Sequence, residues 1–384
     1  MQINMKKRLS SLIGNINISG RTEGDPLISG IAYDSRAVED GFLFIALKGL
    51  HVDGHNYIKT AIERGAAAII YSDEKALSAG PSENICFIRT ENPRTDMAAL
   101  AAAFYDYPAD RLTTIGVTGT DGKTSTVYFI DQLLELCGIS SGFISTAACK
   151  TDSAIEKNPY RQSTPEAVEI NMLLSEMIKN GKTHAVIEAT SHGLSDKNNR
   201  LGGVSFDAGV FTNLSHEHLE FHGTFEKYRD DKVNLFRKLR EAKADSEAPA
   251  SFGVVNIDDE NSPYFIKAAK GRVYTCSLKD PEADFFADCI ESSSGGSSFR
   301  INIVGGGAFD TSINLPGLFN IENVIESFAA VLMLTGVDAA VLASKLTELA
   351  AVKGRMKTVD MGQPFSVLID YAHTPGSFRK LFPD

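Results

Sequence analysis

Short apolar runs alternate with amphipathic stretches along most of the chain. In the N-terminal part, the apolar runs have the length of buried strands, and the stretches between them have the apolar spacing of helices. The predicted strands cover residues 30–33, 43–47, 67–71 and 85–89, and the predicted helices cover residues 57–64 and 95–104. We therefore predict a small α/β domain over residues 1–110, with a boundary at Tyr107-Pro108.

The same alternation continues beyond this boundary with longer helices. The predicted strands cover residues 113–117, 142–145, 184–188, 208–213 and 251–256, and the predicted helices cover residues 126–136, 166–180 and 225–243. Strands separated by helices of this length are typical of a doubly wound, mainly parallel sheet that binds ligands at the carboxyl ends of its strands. We predict that this central domain spans residues 111–352, with antiparallel additions around residues 292–298.

A third region begins near Gly354-Arg355 and contains an apolar run at residues 365–370. We predict that residues 353–384 are the start of a third α/β domain, which is incomplete because the sequence stops in what resembles a helix after Pro375.

Composition and charge narrow the class of protein. Of the 384 residues, 43% are hydrophobic and 23% are charged, and the net charge is −11, which argues against a general binder of nucleic acids or membrane surfaces. The sequence contains no secretory leader and no apolar run of membrane-spanning length, so we expect a cytoplasmic protein. The five cysteines form no Cys-x-x-Cys pair, which favours buried thiols over disulfides or a zinc site.

The turn after the first central strand has the features of a phosphate-binding loop. It reads Thr-Gly-Thr-Asp-Gly-Lys-Thr over residues 118–124. Glycines let backbone N–H groups approach phosphate oxygens, Lys123 supplies a positive charge, and the Thr124 hydroxyl can bind Mg²⁺. The general pattern has a glycine where this chain has Val117. A Gly/Thr-rich turn with an exposed lysine is the structural alternative, but the strand before and the helix after favour a nucleoside triphosphate site.

Carboxylate and imidazole groups follow two of the predicted strands. Glu188 ends the strand at residues 184–188, so it is a candidate Mg²⁺ ligand opposite Thr124, although it could instead cap the following turn. His216, His218 and His222 lie close together after another strand, but their spacing matches zinc sites poorly. We expect at most one of these histidines to bind a metal.

Lys232 lies on the apolar stripe of the predicted helix 225–243 and should therefore point inward. Burial lowers the pKa of a lysine, and the neutral amine suits nucleophilic use or reaction with CO₂ to give a carbamate that binds metal ions. A lysine that packs its stem and extends its amine to solvent is the structural alternative.

Several segments, taken in order, resemble the UDP-N-acetylmuramoyl-tripeptide synthetases of the Mur ligase superfamily. The central segments that carry the resemblance are residues 116–126, 163–166, 188–193, 211–223, 228–236, 315–323 and 370–375. The last of them reads Asp-Tyr-Ala-His-Thr-Pro and separates this branch from the ligase that adds the terminal D-Ala-D-Ala. In the first domain, Asp34-Ser35-Arg36, residues 44–49 and Asp53-Gly54-His55 resemble the UDP-binding domain of the family. Asp-Ser-Arg alone can also be a turn with a salt bridge.

The resemblance implies an ATP-dependent amide ligase. The D-Glu side-chain carboxylate of UDP-N-acetylmuramoyl-L-Ala-D-Glu would attack the γ-phosphate of ATP, and a diamino acid, meso-diaminopimelate or L-Lys, would displace the acyl phosphate. ATP and Mg²⁺ are the implied cofactors, and we expect a monomer without nucleic-acid or membrane partners.

The family's functional residues map onto this sequence in three groups. ATP would contact Thr118, Gly119, Thr120, Asp121, Gly122, Lys123, Thr124, Asn320, Asn323 and Asp370, with His373 close by at the hinge to the third domain. Mg²⁺ would be held by Thr124, Glu188, His218 and a carbamylated Lys232. The catalytic residues would be Lys123, Glu188, His218 and Lys232. The precursor would contact Ser35 at its uridine end and, at its muramoyl-dipeptide end, Ser163, Thr164, Thr190 and Arg200.

The chain also departs from the family pattern. Asp121 replaces an asparagine, Glu217 and Glu220 replace aspartates, and residues 195–199 form a longer stretch before Arg200. Asn92-Pro93-Arg94 matches the motif that selects the incoming amino acid, but it lies in the first domain, so we assign it no role.

Two other functions remain open at this point. The first is a non-catalytic module that binds the UDP-linked precursor or a nucleotide, because most of the third domain lies outside this sequence and the chain can be an inactive fragment. The second is another amide ligase of the superfamily, such as a folylpolyglutamate synthetase, which the uridine-side motifs of the first domain disfavour.

Overall fold

The computed structural model describes residues 5–49, 52–74, 84–160, 162–215, 217, 219–241, 250–355, 357–359, 361–363, 365, 367–372 and 378. The chain divides into two compact units. The first comprises Met1–Arg111, Pro165–Glu176 and Gly193–Val204, and the second comprises Leu112–Thr164, Met177–His192 and Ser205–Asp384. Two short segments of the predicted central domain thus group with the first unit.

The first unit is built on a five-stranded sheet of order β2-β7-β6-β5-β4, in which only the β2–β7 pair is antiparallel. The strands of this sheet are β2 (Ile18–Arg21), β4 (Gly30–Ala32), β5 (Phe42–Ile45), β6 (Ala68–Tyr71) and β7 (Cys86–Thr90). The unit also contains a separate antiparallel pair, β1 (Lys7–Arg8) and β3 (Leu27–Ile28). Its N-terminal helices are α1 (Leu9–Leu12), α2 (Ile58–Glu63) and α3 (Pro93–Phe104), with 3₁₀ turns at Ile13–Asn15, Ser35–Ala37, Gly54–Tyr57 and Pro108–Arg111.

Helix α3 shows how local sequence positions the core of this unit. The Asn92 side chain accepts a hydrogen bond from the Thr95 N–H, and Pro93 occupies the first turn, where its missing N–H is tolerated. The alanine-rich helix then buries Met97 and Phe104 in the hydrophobic core. The Asn-Pro-Arg sequence therefore begins a helix.

The second unit contains an eleven-stranded sheet of order β11-β10-β9-β12-β8-β13-β14-β15-β16-β17-β18. The pairs from β9 to β16 are parallel, and the outer pairs are antiparallel. The parallel strands are β8 (Thr113–Thr118), β9 (Ser141–Ile144), β12 (His184–Glu188), β13 (Ala208–Phe211), β14 (Phe252–Asn256), β15 (Arg272–Ser277) and β16 (Phe285–Ser293). The other strands are β10 (Ala148–Lys150), β11 (Glu156–Lys157), β17 (Gly296–Ile303), β18 (Gly307–Ile313), and a separate antiparallel pair, β19 (Lys357–Val359) and β20 (Val367–Ile369).

The remaining helices follow the strands. They are α4 (Lys123–Leu136), α5 (Ala167–Lys179), α6 (Ser191–Leu194), α7 (Leu219–His222), α8 (Phe225–Arg237), α9 (Ser262–Ala268), α10 (Leu318–Thr335) and α11 (Ala339–Lys345), with a 3₁₀ turn at Leu346–Glu348. Strand β8 lies inside the sheet between β12 and β13: the chain runs from β8 to β9 on one side, and later crosses from β12 to β13 on the other, so the strand order reverses at β8. The predicted doubly wound, mainly parallel fold is confirmed, and a ligand site is expected at the carboxyl end of β8.

Helix α10 was not predicted as an element. It is the one described helix whose length and mean hydropathy, 1.4 over its 18 residues, would suit a membrane span, but 67% of that window is buried. Its apolar side chains belong to the core cluster that also contains those of α4. Packing therefore accounts for its hydropathy.

Two expectations differ from the structure. Helix α8 ends at Arg237, because Phe206 donates its N–H to the Lys238 carbonyl and accepts the N–H of Arg240. Cys289 is exposed, with φ of 50°, because it lies at an irregularity in the β16–β17 pairing. Cys86, Cys149 and Cys276 are buried thiols as expected. The helix predicted after Pro375 lies outside the described residues.

Candidate functional site

The loop between β8 and α4 can only be formed with glycine at two positions. Gly119 has φ of +150°, and an added Cβ would lie 2.0 Å from Thr212 Oγ1. Gly122, with φ of +86°, precedes α4, and its Cβ would lie 2.2 Å from Asn323 Oδ1. The Asp121 N–H donates to Asn213 Oδ1 at 3.0 Å, which fixes the loop from outside. The glycine-containing loop thus leads directly into the N-terminus of α4, a position that suits a phosphate group.

Lys123 folds back over this loop. Its Nζ donates a hydrogen bond of 2.6 Å to the Thr120 carbonyl. The ammonium group therefore lies at the loop, where a phosphate would bring additional acceptors. The side chain of Asp121 does not cap α4, whose N-cap residue is Gly122.

Thr124 and Glu188 are brought together from the ends of β8 and β12. Thr124 Oγ1 donates to Glu188 Oε2 at 3.0 Å, and Glu188 is only 2% exposed. The carboxylate also accepts the Thr146 N–H at 2.9 Å and the Thr146 hydroxyl at 2.8 Å. Neither donor belongs to the turn after β12, so the contacts of Glu188 differ from those of a cap.

Lys232 lies beneath the loop. It is 2% exposed, and its Nζ donates to the Gly119 carbonyl at 2.6 Å. Burial lowers the pKa of Lys232 well below its usual value, and the charge of Lys123 lowers this pKa further. Tyr228, one turn earlier on α8, shares a hydrogen bond of 3.0 Å between its hydroxyl and Thr120 Oγ1. Helix α8 therefore supports the loop from within the protein.

A buried Ser-His-Asp chain escaped the sequence analysis. His222 Nδ1 lies 2.8 Å from Asp231 Oδ2, and His222 Nε2 lies 3.0 Å from Ser191 Oγ. A carboxylate partner places the ring proton on Nδ1, so Nε2 accepts the Ser191 hydroxyl. Because Ser191 is 1% exposed, it is inaccessible as a nucleophile. The three hydrogen-bonded side chains instead join the segment after β12 to α8. His216 and His218 lie outside the described residues.

Arg355 is a second residue that sequence reasoning missed. Its Nη2 donates to Thr124 Oγ1 at 3.4 Å, and its guanidinium lies 4.6 Å from the centroid of the Tyr371 ring. A single arginine after a glycine carries no recognisable signal in the sequence.

The residues outside the loop that were predicted to contact ATP lie in different surroundings. Asn323 lies beside Gly122, and its Oδ1 is 3.4 Å from Thr126 Oγ1. Asn320 lies one turn earlier on α10 and donates to the Pro316 carbonyl at 2.7 Å. Asp370 accepts the Ala372 N–H at 2.7 Å, and His373 lies outside the described residues.

The predicted precursor contacts are divided between the units. In the second unit, Thr164 Oγ1 donates to the Glu188 carbonyl at 2.7 Å and lies 2.9 Å from Thr190 Oγ1, while Ser163 is half-buried. In the first unit, Ser35 is buried in a 3₁₀ turn that Asp34 caps. Asp34 and Arg36 form an ion pair at 2.6 Å, so the turn with a salt bridge is present. Arg200, also in the first unit, pairs with Glu166 at 3.1 Å.

The donor set at Thr124 and Glu188 suits Mg²⁺ better than zinc. Among the described residues, no three His, Cys, Asp or Glu side chains converge as a metal-binding group. Mg²⁺ instead takes one or two protein oxygens together with substrate phosphates and water. One carboxylate and one hydroxyl beside a phosphate loop fit that requirement.

Two consecutive parts of the chain match known protein families. Residues 117–331 match the Mur ligase middle domain, and residues 27–105 match the Mur ligase family, catalytic domain. The chain belongs to the Mur ligase family. The resemblance inferred from the sequence and the prediction of a ligase enzyme are therefore confirmed.

Relatives of this Mur ligase carry specific names. A UDP-N-acetylmuramyl-tripeptide synthetase of Treponema denticola is 44% identical over 376 residues, which cover 93% of this chain and 70% of the relative. A UDP-N-acetylmuramoyl-L-alanyl-D-glutamate–2,6-diaminopimelate ligase of Geobacillus thermodenitrificans is 38% identical, with 92% and 69% covered. A solved structure with the latter enzyme name superimposes with a TM-score of 0.78 at 28% identity, covering 98% of this chain and 73% of the other.

Proposed function

We propose that this Mur ligase joins a diamino acid, meso-diaminopimelate or L-Lys, to UDP-N-acetylmuramoyl-L-Ala-D-Glu in peptidoglycan precursor synthesis. The D-Glu side-chain carboxylate would attack the γ-phosphate of ATP, and the amine of the diamino acid would displace the acyl phosphate. The observation that carries the proposal is the glycine-dependent loop with Lys123 above it and the Thr124–Glu188 pair at its end.

The residues at the loop would bring the ATP phosphates and the carboxylate of the precursor together despite their like charges. Loop N–H groups and Lys123 would bind the phosphates, and Thr124 with Glu188 would hold a Mg²⁺ ion. Bound Mg²⁺ would offset phosphate charge that otherwise repels a carboxylate nucleophile. Arg355, whose guanidinium already reaches Thr124, would add a second fixed positive charge.

Lys232 would serve as a metal ligand after carbamylation. Its buried amine has a lowered pKa, and the neutral amine is the form that reacts with CO₂. Together with His218 it would complete a second Mg²⁺ site. Its hydrogen bond to the Gly119 carbonyl supports this role, because it places the amine directly below the phosphate loop.

The remaining expectations complete the proposal. Ser35 would bind the uridine end of the precursor, and Ser163, Thr164, Thr190 and Arg200 would bind its dipeptide. Asn320, Asn323 and Asp370 would contact the nucleotide. We place the enzyme in the cytoplasm as a monomer, and we retain three domains at residues 1–110, 111–352 and 353–384.

Two assays on the 384-residue chain test the proposal. Calorimetric titration with UDP-N-acetylmuramoyl-L-Ala-D-Glu measures the precursor site, and phosphate release with ATP, Mg²⁺ and each diamino acid measures ligation. We expect precursor binding, and absence of binding would refute the proposed substrate. Binding without phosphate release would favour the non-catalytic module.

The Lys123→Ala variant separates the two sites. In a version of the protein that carries a complete third domain, it should lower phosphate release by about 100-fold or more, since it removes a positive charge from the transferred phosphate. Precursor affinity should be unchanged. Loss of both activities together would contradict the assignment of separate nucleotide and precursor sites.

A further inference from the structure

Two arginines of the first unit share one buried carboxylate. Arg94 Nη1 donates to Glu166 Oε2 at 3.2 Å, and Arg200 Nη2 lies 3.1 Å from Glu166 Oε1. The side chains of Glu166 and Arg200 are 10% and 9% exposed, whereas that of Arg94 is 24% exposed. Each oxygen of the carboxylate is therefore paired with a different guanidinium, and Arg94 is the member of the group that solvent reaches.

Contacts between α3 and the segment that carries Arg200 fix this arrangement. The segment that carries Arg200 packs closely on α3, because an added Cβ at Gly203 would lie 2.8 Å from the Ala98 carbonyl oxygen. Asn199 Nδ2 also donates to the Thr95 carbonyl at 3.3 Å. Arg94 itself is in the first turn of α3, so its position relative to Arg200 is set by the same helix.

Helix stability does not explain an arginine at this place. The N-terminus of a helix carries partial positive charge, which favours anions in the first turn and disfavours cations. Arg94 therefore adds positive charge where the helix already supplies some, and an anion at this point would be attracted by both.

Both guanidinium groups of the cluster pair with the same carboxylate, that of Glu166. The second carboxyl group nearby, Glu169, accepts the Tyr33 hydroxyl at 2.7 Å, and burial raises the pKa of Glu169. Because the Arg94 side chain is more exposed than that of Arg200, a second anion can reach Arg94 while Glu166 stays paired.

We propose that Arg94, oriented by Glu166 beside Arg200, binds a carboxylate of the precursor's dipeptide. This inference rests on the proposed function. The precursor offers a diphosphate and two D-Glu carboxylates, of which the side-chain carboxylate reacts and the α-carboxylate remains an anion throughout. The planar guanidinium of Arg94 donates to Glu166 through Nη1, and Nη2 and Nε have no partner among the described residues, so one edge is available for a paired hydrogen bond to that α-carboxylate.

The test compares two ligands by calorimetry on the 384-residue chain. UDP-N-acetylmuramoyl-L-Ala-D-Glu contains the D-Glu carboxylates, and UDP-N-acetylmuramoyl-L-Ala contains the same diphosphate without D-Glu. The variants are Arg94→Ala and Arg94→Lys, and the control is Arg89→Ala, which removes an exposed arginine of the same unit that pairs with Glu74 at 2.6 Å.

We expect Arg94→Ala to raise the Kd for the D-Glu ligand by about 10- to 100-fold, as charge-assisted hydrogen bonds are lost. The Kd for the shorter ligand should be unchanged, Arg94→Lys should lie between the two, and Arg89→Ala should resemble the wild type. Thermal unfolding of each variant identifies any loss of affinity that comes from a loss of fold.

Three results would overturn the inference, and a fourth would overturn its basis. Equal weakening of both ligands by Arg94→Ala would assign the arginine to a group other than D-Glu, such as the diphosphate, and unchanged affinity for both would remove it from the site. If Arg94→Ala unfolds, an Arg94→Lys variant that folds and keeps full affinity for the D-Glu ligand would exclude the paired hydrogen bond. By contrast, a wild-type chain that binds neither ligand would refute the proposed function itself.

Discussion

The hydroxyl of Thr124 lies 3.0 Å from the Glu188 carboxylate, although the two residues are 64 positions apart in the sequence. The contact exists because β8 and β12 are adjacent and parallel, so the last residue of β12 meets the first turn of the helix that follows β8 at one edge of the sheet. Two oxygen ligands of the kind that Mg²⁺ prefers are thereby fixed beside the phosphate loop before any ligand arrives.

Glu188→Gln tests this pair directly. The amide keeps the size of the side chain but removes the negative charge, so nucleotide affinity in the presence of Mg²⁺ should fall by about 10-fold or more. Fluorescence titration with a labelled ATP analogue, with Mg²⁺ and with EDTA, measures the effect. The exposed Glu156→Gln is the control. An unchanged gain in affinity from Mg²⁺ in Glu188→Gln would contradict the proposed metal site.

Lys232→Ala removes the amine beneath the loop. In a version of the protein with ligase activity, phosphate release should fall by roughly 100-fold, and acetate should restore part of it by taking the place of the carbamate. Lys267→Ala, an exposed lysine on α9, should have no effect, and chloride at the same ionic strength should give no rescue. Full activity of Lys232→Ala, or inactivity that acetate leaves unchanged, would argue against carbamylation.

Alanine substitution of two glycines at opposite ends of α4 distinguishes the effect of backbone strain from that of steric overlap. Gly122 and Gly138 both have positive φ, +86° and +77°, but an added Cβ meets Asn323 only at Gly122 and finds open space at Gly138. Gly138→Ala should therefore cost about 1 kcal/mol of unfolding free energy and leave nucleotide affinity unchanged. Gly122→Ala should cost more and abolish nucleotide binding. Chemical denaturation and nucleotide titration check both variants, and equal behaviour would refute the role of close packing at the loop.

The burial of His184 predicts that the stability of the folded protein depends on pH. Burial lowers the pKa of His184 below its usual 6.5, although Asp207 opposes the shift. As the pH falls below about 6.5, the unfolded chain binds a proton at this position before the folded chain does, so the native state loses stability. His184→Gln should therefore gain thermal stability relative to the wild type between pH ~7 and pH ~5. Parallel Tm curves over that range would contradict a lowered pKa.

Much of the site could be predicted because its signals are local. The phosphate loop is a continuous strand-turn-helix sequence, Glu188 ends an apolar run, and Lys232 lies on the apolar stripe of a helix. Each of these patterns is complete within one continuous stretch of sequence, so it can be recognised without knowledge of the fold.

The rest depends on contacts between distant segments. Ser191 and His222 are 31 residues apart, and neither has a sequence pattern that indicates the other. Arg94 and Glu166 are 72 residues apart and meet because residues 165–176 group with the first unit, which their place in the sequence does not suggest. Helix α10 is apolar on most of its surface because it is buried, so it has no amphipathic stripe to identify it.

Arg355 gives the phosphate loop a connection to the chain that follows the central sheet. Its guanidinium contacts Thr124 on one side and the Tyr371 ring on the other. A single side chain thus lies between the helix that follows the loop and the Tyr371 ring, so a ligand at Thr124 and the Tyr371 ring would share one guanidinium.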